Sequence, residues 1–120
     1  MGAVTPVGND ITTMWDTLVH GKSGIARIAR FDPAPYDSQV AGEVRGLEMG
    51  EYMDRKELRR TDRFTHLAVA AATQALRDAK LDRVSDPERV GTAISSGLGG
   101  ITTMVDQAER RRPTRVAASS

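Results

Sequence analysis

From Phe64 onward, apolar residues leave almost no side of a helix polar. Phe64, Leu67, Ala68, Ala71, Ala72, Ala75, Leu76 and Ala79 keep helical spacing, and Val69 and Ala70 widen the apolar surface. The spacing predicts one long helix starting at Thr61 or Asp62. Alanine has the highest helix propensity and little bulk, so other backbone can approach it closely. A helix that is apolar nearly all round is a buried helix. This one demands protein on several sides, more than a chain of 120 residues supplies.

The rest of the chain gives that helix little to pack on. Ile11, Met14, Trp15, Leu18 and Val19 form one apolar face of a first helix. Asn9 or Asp10 is placed to cap its start, and Gly21 to end it in the left-handed region. Residues 22–39 read as irregular, with Pro33 and Pro35 opposing helix. Val40–Val44 reads as a short strand, and Asp54–Arg60 as a charged helical turn. Leu81–Pro87 reads as a loop and Arg89–Ser96 as a strand whose small residues suit a crowded central place. Gly97-Leu98-Gly99-Gly100 turns into a last helix carried by Ile101, Met104, Val105 and Ala108, and pattern fades from Glu109. The class is α/β, but one or two strands make no sheet for these helices. The chain is expected to be part of a domain, poorly stable alone, with an apolar patch prone to association.

Composition narrows the function classes. Apolar residues make up 39% and charged residues 28%, a globular balance. A net charge of +1 gives no bulk attraction to nucleic acid or membrane, and neither is expected as a partner. There is no cysteine, which excludes disulfides, thiolate metal sites and a cysteine nucleophile within these residues. The first residues carry neither a basic nor an apolar leader region, and no apolar run reaches membrane-spanning length. The cytoplasm is the expected compartment.

Four features admit both a functional and a blander reading. Gly97-Leu98-Gly99-Gly100 follows a predicted strand, yet Thr102 stands where a dinucleotide fingerprint needs glycine. A tight turn, where backbone approaches something closely, is the better reading. Gly21-Lys22-Ser23 resembles the end of a P-loop, but Asp16 replaces its first glycine. Nucleotide binding is rejected, and no cofactor or metal is expected. His20 and His66, the only histidines, read as polar helix residues without a carboxylate partner. The strongest charge feature is Arg55-Lys56-Glu57-Leu58-Arg59-Arg60 with Arg63 beyond it. The spacing of Lys56, Arg59, Arg60 and Arg63 lets them share one helical face. Such runs are usually solvated surface; the functional reading is a docking patch for an acidic partner. Arg110-Arg111-Arg112 is given no role.

In order along the chain, several segments resemble the β-ketoacyl-acyl-carrier-protein synthases of the II type. They are residues 2–9, Trp15 with Leu18, Gly21-Lys22-Ser23-Gly24-Ile25, Ala41-Gly42-Glu43-Val44, residues 54–65, and Arg89-Val90-Gly91 through Gly100. Their joint order and spacing is the specific signal, and it runs to about residue 112. The resemblance implies a thiolase-like fold of five layers, usually homodimeric, with the Ala-rich helix in the central layer. It implies decarboxylating Claisen condensation of acyl groups with malonyl-carrier protein in fatty-acid elongation or, less favoured, a polyketide pathway. That chemistry uses a cysteine thiolate and two histidines, and none of the family's catalytic residues maps onto these residues. Two secondary roles do map: Lys56, Arg59 and Arg60 match the acyl-carrier-protein docking segment, and Leu98 matches the residue lining the acyl pocket.

Two departures qualify the resemblance. Ser95 stands where glycine is common, and the family's first strand lies before the segment matched by residues 2–9. Residues 1–120 are therefore expected to be a partial N-terminal domain, inactive alone, read from an internal methionine to a premature end. The alternative is a non-catalytic carrier-protein-binding or chain-length-factor-like subunit using the same three cations.

Overall fold

The computed structural model describes residues 1–111 except Asp82 and Ser85. In order, its elements are α1 (Ile11–Val19), β1 (Ile25–Arg27), β2 (Val40–Gly42), a 3-10 turn (Met49–Glu51), α2 (Arg55–Leu58), α3 (Arg63–Asp78), a second 3-10 turn (Pro87–Arg89) and α4 (Ile101–Arg110).

α1 forms as its pattern predicts. Asp10 caps it, accepting from the Thr13 amide at 2.8 Å and from the Thr13 hydroxyl at 2.8 Å. Gly21 follows with φ +62°. The apolar face has nothing over much of it: Trp15 is 64% exposed and Val19 64%.

α3 is the alanine helix, capped in backbone geometry at Asp62. These residues cover it only in part, as the shortage of chain to pack on it predicts. Only Ala70 on it is buried, most of the helix is half-covered, and Phe64 and Leu76 are exposed. Among the described residues only Pro33, Met49 and Ala70 are buried. What covers α3 is the N-terminal segment, which runs against the helix backbone; a Cβ added at Gly2 would lie 2.6 Å from the Ala75 nitrogen. Only a residue without a side chain lets the two backbones come so close.

One polar side chain holds this packing in register. The Gln74 carboxamide oxygen accepts from the Ala3 amide at 3.2 Å. Its nitrogen donates to the Asn9 carbonyl at 2.7 Å and to the Tyr52 hydroxyl at 3.2 Å. Tyr52 in turn lies under the Arg77 guanidinium, 5.7 Å from ring centre. Gln74 thereby ties residues 3, 9 and 52 to one helical turn.

The sheet is a two-stranded antiparallel hairpin with register Ile25↔Gly42, Ala26↔Ala41 and Arg27↔Val40. β2 falls within the predicted strand, whereas β1 lies in the stretch read as irregular. The strand expected at Arg89–Ser96 is not formed. A 3-10 turn covers its first residue, and Val90 has extended backbone (φ −114°, ψ 123°), but residues 90–96 are exposed. Extended backbone becomes a strand only when a neighbour satisfies its amides and carbonyls, and among the described residues none is paired with it. The helix before the tail reaches Arg110, past the predicted fading at Glu109. The end of the basic run Arg110-Arg111-Arg112 lies outside the described residues.

Beyond the hairpin, Glu43 organises the chain through its carboxylate. It accepts from the Ala29 and Arg30 amides at 3.2 Å and from the Arg45 guanidinium at 2.8 Å. Arg45 also donates to the Arg27 carbonyl at 3.1 Å. The bond from Arg45, followed by those from the two amides, holds the Glu43 carboxyl below its ordinary value of 4.5.

Two predictions follow from these anchors. Gln74→Ala leaves the Ala3 amide and Asn9 carbonyl unpaired, at a cost of about 1–3 kcal/mol. The Ala3 amide should then exchange with solvent faster, while Tyr52→Phe, which removes one bond only, has a smaller effect. For Glu43, a lowered folded-state pKa means its stabilisation is present above the unfolded value and lost as pH falls through the folded one. The Ala29 and Arg30 amide shifts should therefore titrate with a midpoint below 4.5, and Glu43→Gln should abolish that titration.

Candidate functional site

The basic segment begins with a short capped turn. Asp54 accepts from the Lys56 and Glu57 amides, both at 2.8 Å, and starts α2. α2 ends at Leu58, so the residues after it do not continue one helical face. This corrects the shared-face reading for Arg63. Its guanidinium turns back to the Val44 carbonyl at 3.2 Å, and the residue is half-buried. Lys56, Arg59 and Arg60 remain exposed, and among the described residues none of them is in an ion pair. Among the described residues, one of these side chains makes a hydrogen bond, from Arg59 Nε to the Arg55 carbonyl at 3.3 Å.

Thr61 and Asp62 connect this segment to the glycine turn. The Thr61 hydroxyl donates to the Glu57 carbonyl at 2.7 Å and lies 3.1 Å from His66 Nε2. The Asp62 side chain makes no cap bond to its own helix. It accepts instead from the hydroxyl of Thr103 in the first turn of α4. A carboxylate is favourable at that end of α4, where the helix dipole is positive.

The turn itself is held on Phe64. The Gly99 amide donates to Ser96 Oγ at 3.0 Å, closing the turn internally. A Cβ at Gly99 would lie 3.0–3.1 Å from Phe64 ring carbons, and Gly100 has φ +73°. The glycines therefore serve close approach and left-handed backbone, as the turn reading predicts. Between the turn and α3 is an open cavity of about 380 Å³, lined among others by Phe64, Arg63, Ser96, Leu98 and Ile101. A second cavity of about 540 Å³ shares Ile101 and is walled by Phe31, Tyr36 and Val105. Phe31 and Tyr36 meet edge to face at 5.8 Å.

The cavity and the three cations are thus on connected segments, and Leu98, 65% exposed, presents an apolar side chain at the cavity. The charged Arg30, Asp62 and Arg63 also line the cleft, beside the apolar Phe64, Leu98 and Ile101. Among the described residues no group of three or more His, Asp or Glu side chains is placed to hold a metal ion, and no helix is long and apolar enough to cross a membrane. His20, read without a carboxylate partner, has one: its Nδ1 lies 3.2 Å from Asp16 Oδ1. One helical turn of spacing, visible in the sequence, was the missed signal. Gln74, Asp62 and Thr103 were missed as well. A lone amide between alanines flags Gln74, whereas nothing in the spacing joins Asp62 to Thr103.

Comparison with known proteins gives a consistent result along the chain. Residues 1–119 match the family described as "Beta-ketoacyl synthase, N-terminal domain". The chain is 43% identical over 104 residues to 3-oxoacyl-[acyl-carrier-protein] synthase 2 of Staphylococcus aureus, covering 86% of this chain and 26% of that protein. It is 40% identical over 108 residues to the protein of the same name from Synechocystis sp., covering 89% and 26%. The chain spans about a quarter of the length of the curated relatives it matches.

The contact of Gly99 with Phe64 is open to a direct test. Gly99→Ala forces a methyl group into the ring, an overpacking cost of about 1–3 kcal/mol. Proteolytic cleavage in residues 97–100 should speed up by about tenfold or more, since cleavage tracks the open population. Phe64→Ala in the same chain should remove most of that sensitivity to Gly99→Ala, a non-additivity expected of residues in contact.

Proposed function

Since this chain belongs to the β-ketoacyl synthase family, we propose that it is the N-terminal part of a 3-oxoacyl-[acyl-carrier-protein] synthase, an acyltransferase that elongates fatty acids in the cytoplasm. The reaction proposed for the whole protein is decarboxylating Claisen condensation of an acyl group with malonyl-carrier protein. In it, residues 1–120 supply a docking surface and part of the acyl pocket within a thiolase-like homodimer. The thiolate comes from elsewhere, because these residues contain no cysteine.

The observation that carries this reading is the joint placement of the two matched sites. Lys56, Arg59 and Arg60 are exposed, with no ion-pair partner among the described residues. Leu98 lines the cavity reached by the segment directly after them. Unpaired surface cations steer an acidic partner and orient it more than they add affinity. An apolar side chain at a half-open cleft suits an acyl chain delivered by that partner. A second reading, a non-catalytic carrier-binding or chain-length-factor-like subunit, would use the same three cations without chemistry.

Charge reversal at Lys56, Arg59 and Arg60 together should slow association with acyl carrier protein by about tenfold or more at low salt. The difference should shrink as salt screens the exposed charges. Unchanged association rates would remove the docking assignment. Incubation of the chain with acyl- and malonyl-carrier protein should yield no condensation product.

A further inference from the structure

The basic segment and the glycine turn are bonded to each other through two residues, and this linkage has a consequence beyond either site. Thr61 is fixed to α2 by its bond to the Glu57 carbonyl and lies against His66 on α3. Asp62, the next residue, starts α3 and accepts from Thr103 on α4. Its carboxylate also faces Gly100, where an added Cβ would lie 2.8 Å from Oδ2. Two residues along, Phe64 supports Gly99. Leu98 is carried by a turn that its own Ser96–Gly99 bond makes a unit.

We propose that Asp62 is a positioning residue that couples carrier-protein docking at Lys56, Arg59 and Arg60 to the placement of Leu98. The proposal rests on the docking reading above. Arg60 is separated from Asp62 by Thr61 alone, so a displacement of the docking segment reaches the Asp62 carboxylate through a short, bonded path. Thr103 passes it to α4, and the α4 N-terminus is the end of the turn that bears Leu98. The chain from Asp62 to Phe64 joins the ring on which Gly99 rests to the same path. A physical coupling needs an element that both sites bias; in this proposal it is the start of α4, reached through the Asp62–Thr103 bond.

The test uses the absence of cysteine from the chain: Leu98→Cys gives one site for a nitroxide. Acyl carrier protein is titrated into the labelled full chain, with binding followed separately by calorimetry. The expected result is that binding slows the label, and that Asp62→Ala or Thr103→Val abolishes this change while the carrier still binds. Asp62→Asn keeps an acceptor for the Thr103 hydroxyl and should restore the response, which general loss of structure at residue 62 would not allow. Thr103→Val leaves the α3 start intact and covers the case in which Asp62→Ala does not fold. If the carrier binds but the label at residue 98 is unaffected, or responds equally in Thr103→Val, the coupling is wrong and docking stands. If the carrier does not bind at all, both fall together.

Discussion

Gln74 sits on the alanine stripe of α3 and uses both ends of its amide to hold segments that are distant in sequence. Its oxygen takes the Ala3 amide, and its nitrogen serves the Asn9 carbonyl and the Tyr52 hydroxyl. Without it, the first three residues would keep the fit of Gly2 against α3 and an exposed terminal contact to Asp78, while Pro6 and Val7 would still pack against Gly24 and Gly42. Because Gly2 lies against Ala71 and Ala75, the register of that amide decides which alanines the first residues cover. The same bond to Asn9 places the start of α1, and Asn9 in turn donates to the Arg45 carbonyl at 2.8 Å. Half-buried polar groups are costly to leave unpaired, so this small network specifies an arrangement that alanine packing alone would leave free to slide.

The hydrophobic side of the balance is thin by comparison. Three buried residues do not make a core, and the apolar faces of α1 and α4 remain open, with Trp15, Leu18, Met104 and Val105 all exposed. Alanine explains why the shortfall falls on α3. Each alanine gains little when half-covered, and its value lies in letting other backbone approach from several directions. Gly2 approaches from one side and the Phe64–Gly99 contact closes the helix start from another. The rest of the stripe is shaped for neighbours that the described residues do not provide.

Local features were legible in the sequence, and long-range ones were not. Asp10 and Gly21 bound α1, Asp54 starts α2, and the alanine periodicity gives α3, because capping and period depend on residues a few positions apart. The glycine turn was legible for the same reason. β1 was hidden because three exposed residues carry no alternation to read, and its existence depends on β2 across an intervening loop. Arg89–Ser96 shows the converse: strand-forming residues that find no partner stay unpaired. In the basic segment, the exposure of Lys56, Arg59 and Arg60 could be expected from charge alone. Arg63 could not be separated from them, because only the fold brings the Val44 carbonyl to its guanidinium.

That separation bears on how the site works. Arg63 is spent on the internal structure, which fixes the first turn of α3 to the segment after β2. Asp62 faces the other way, toward α4. Two successive residues at one helix start thus hold different neighbours, while the three cations just before them stay exposed, without an ion-pair partner among the described residues. A helix start braced on both sides is a poor place for independent local motion, since any rotation that relieves one bond strains the other. Displacement of the preceding basic segment is therefore more easily accommodated as a movement of the whole α3 start, with Phe64 and the turn resting on it, than as a change confined to Arg59 or Arg60.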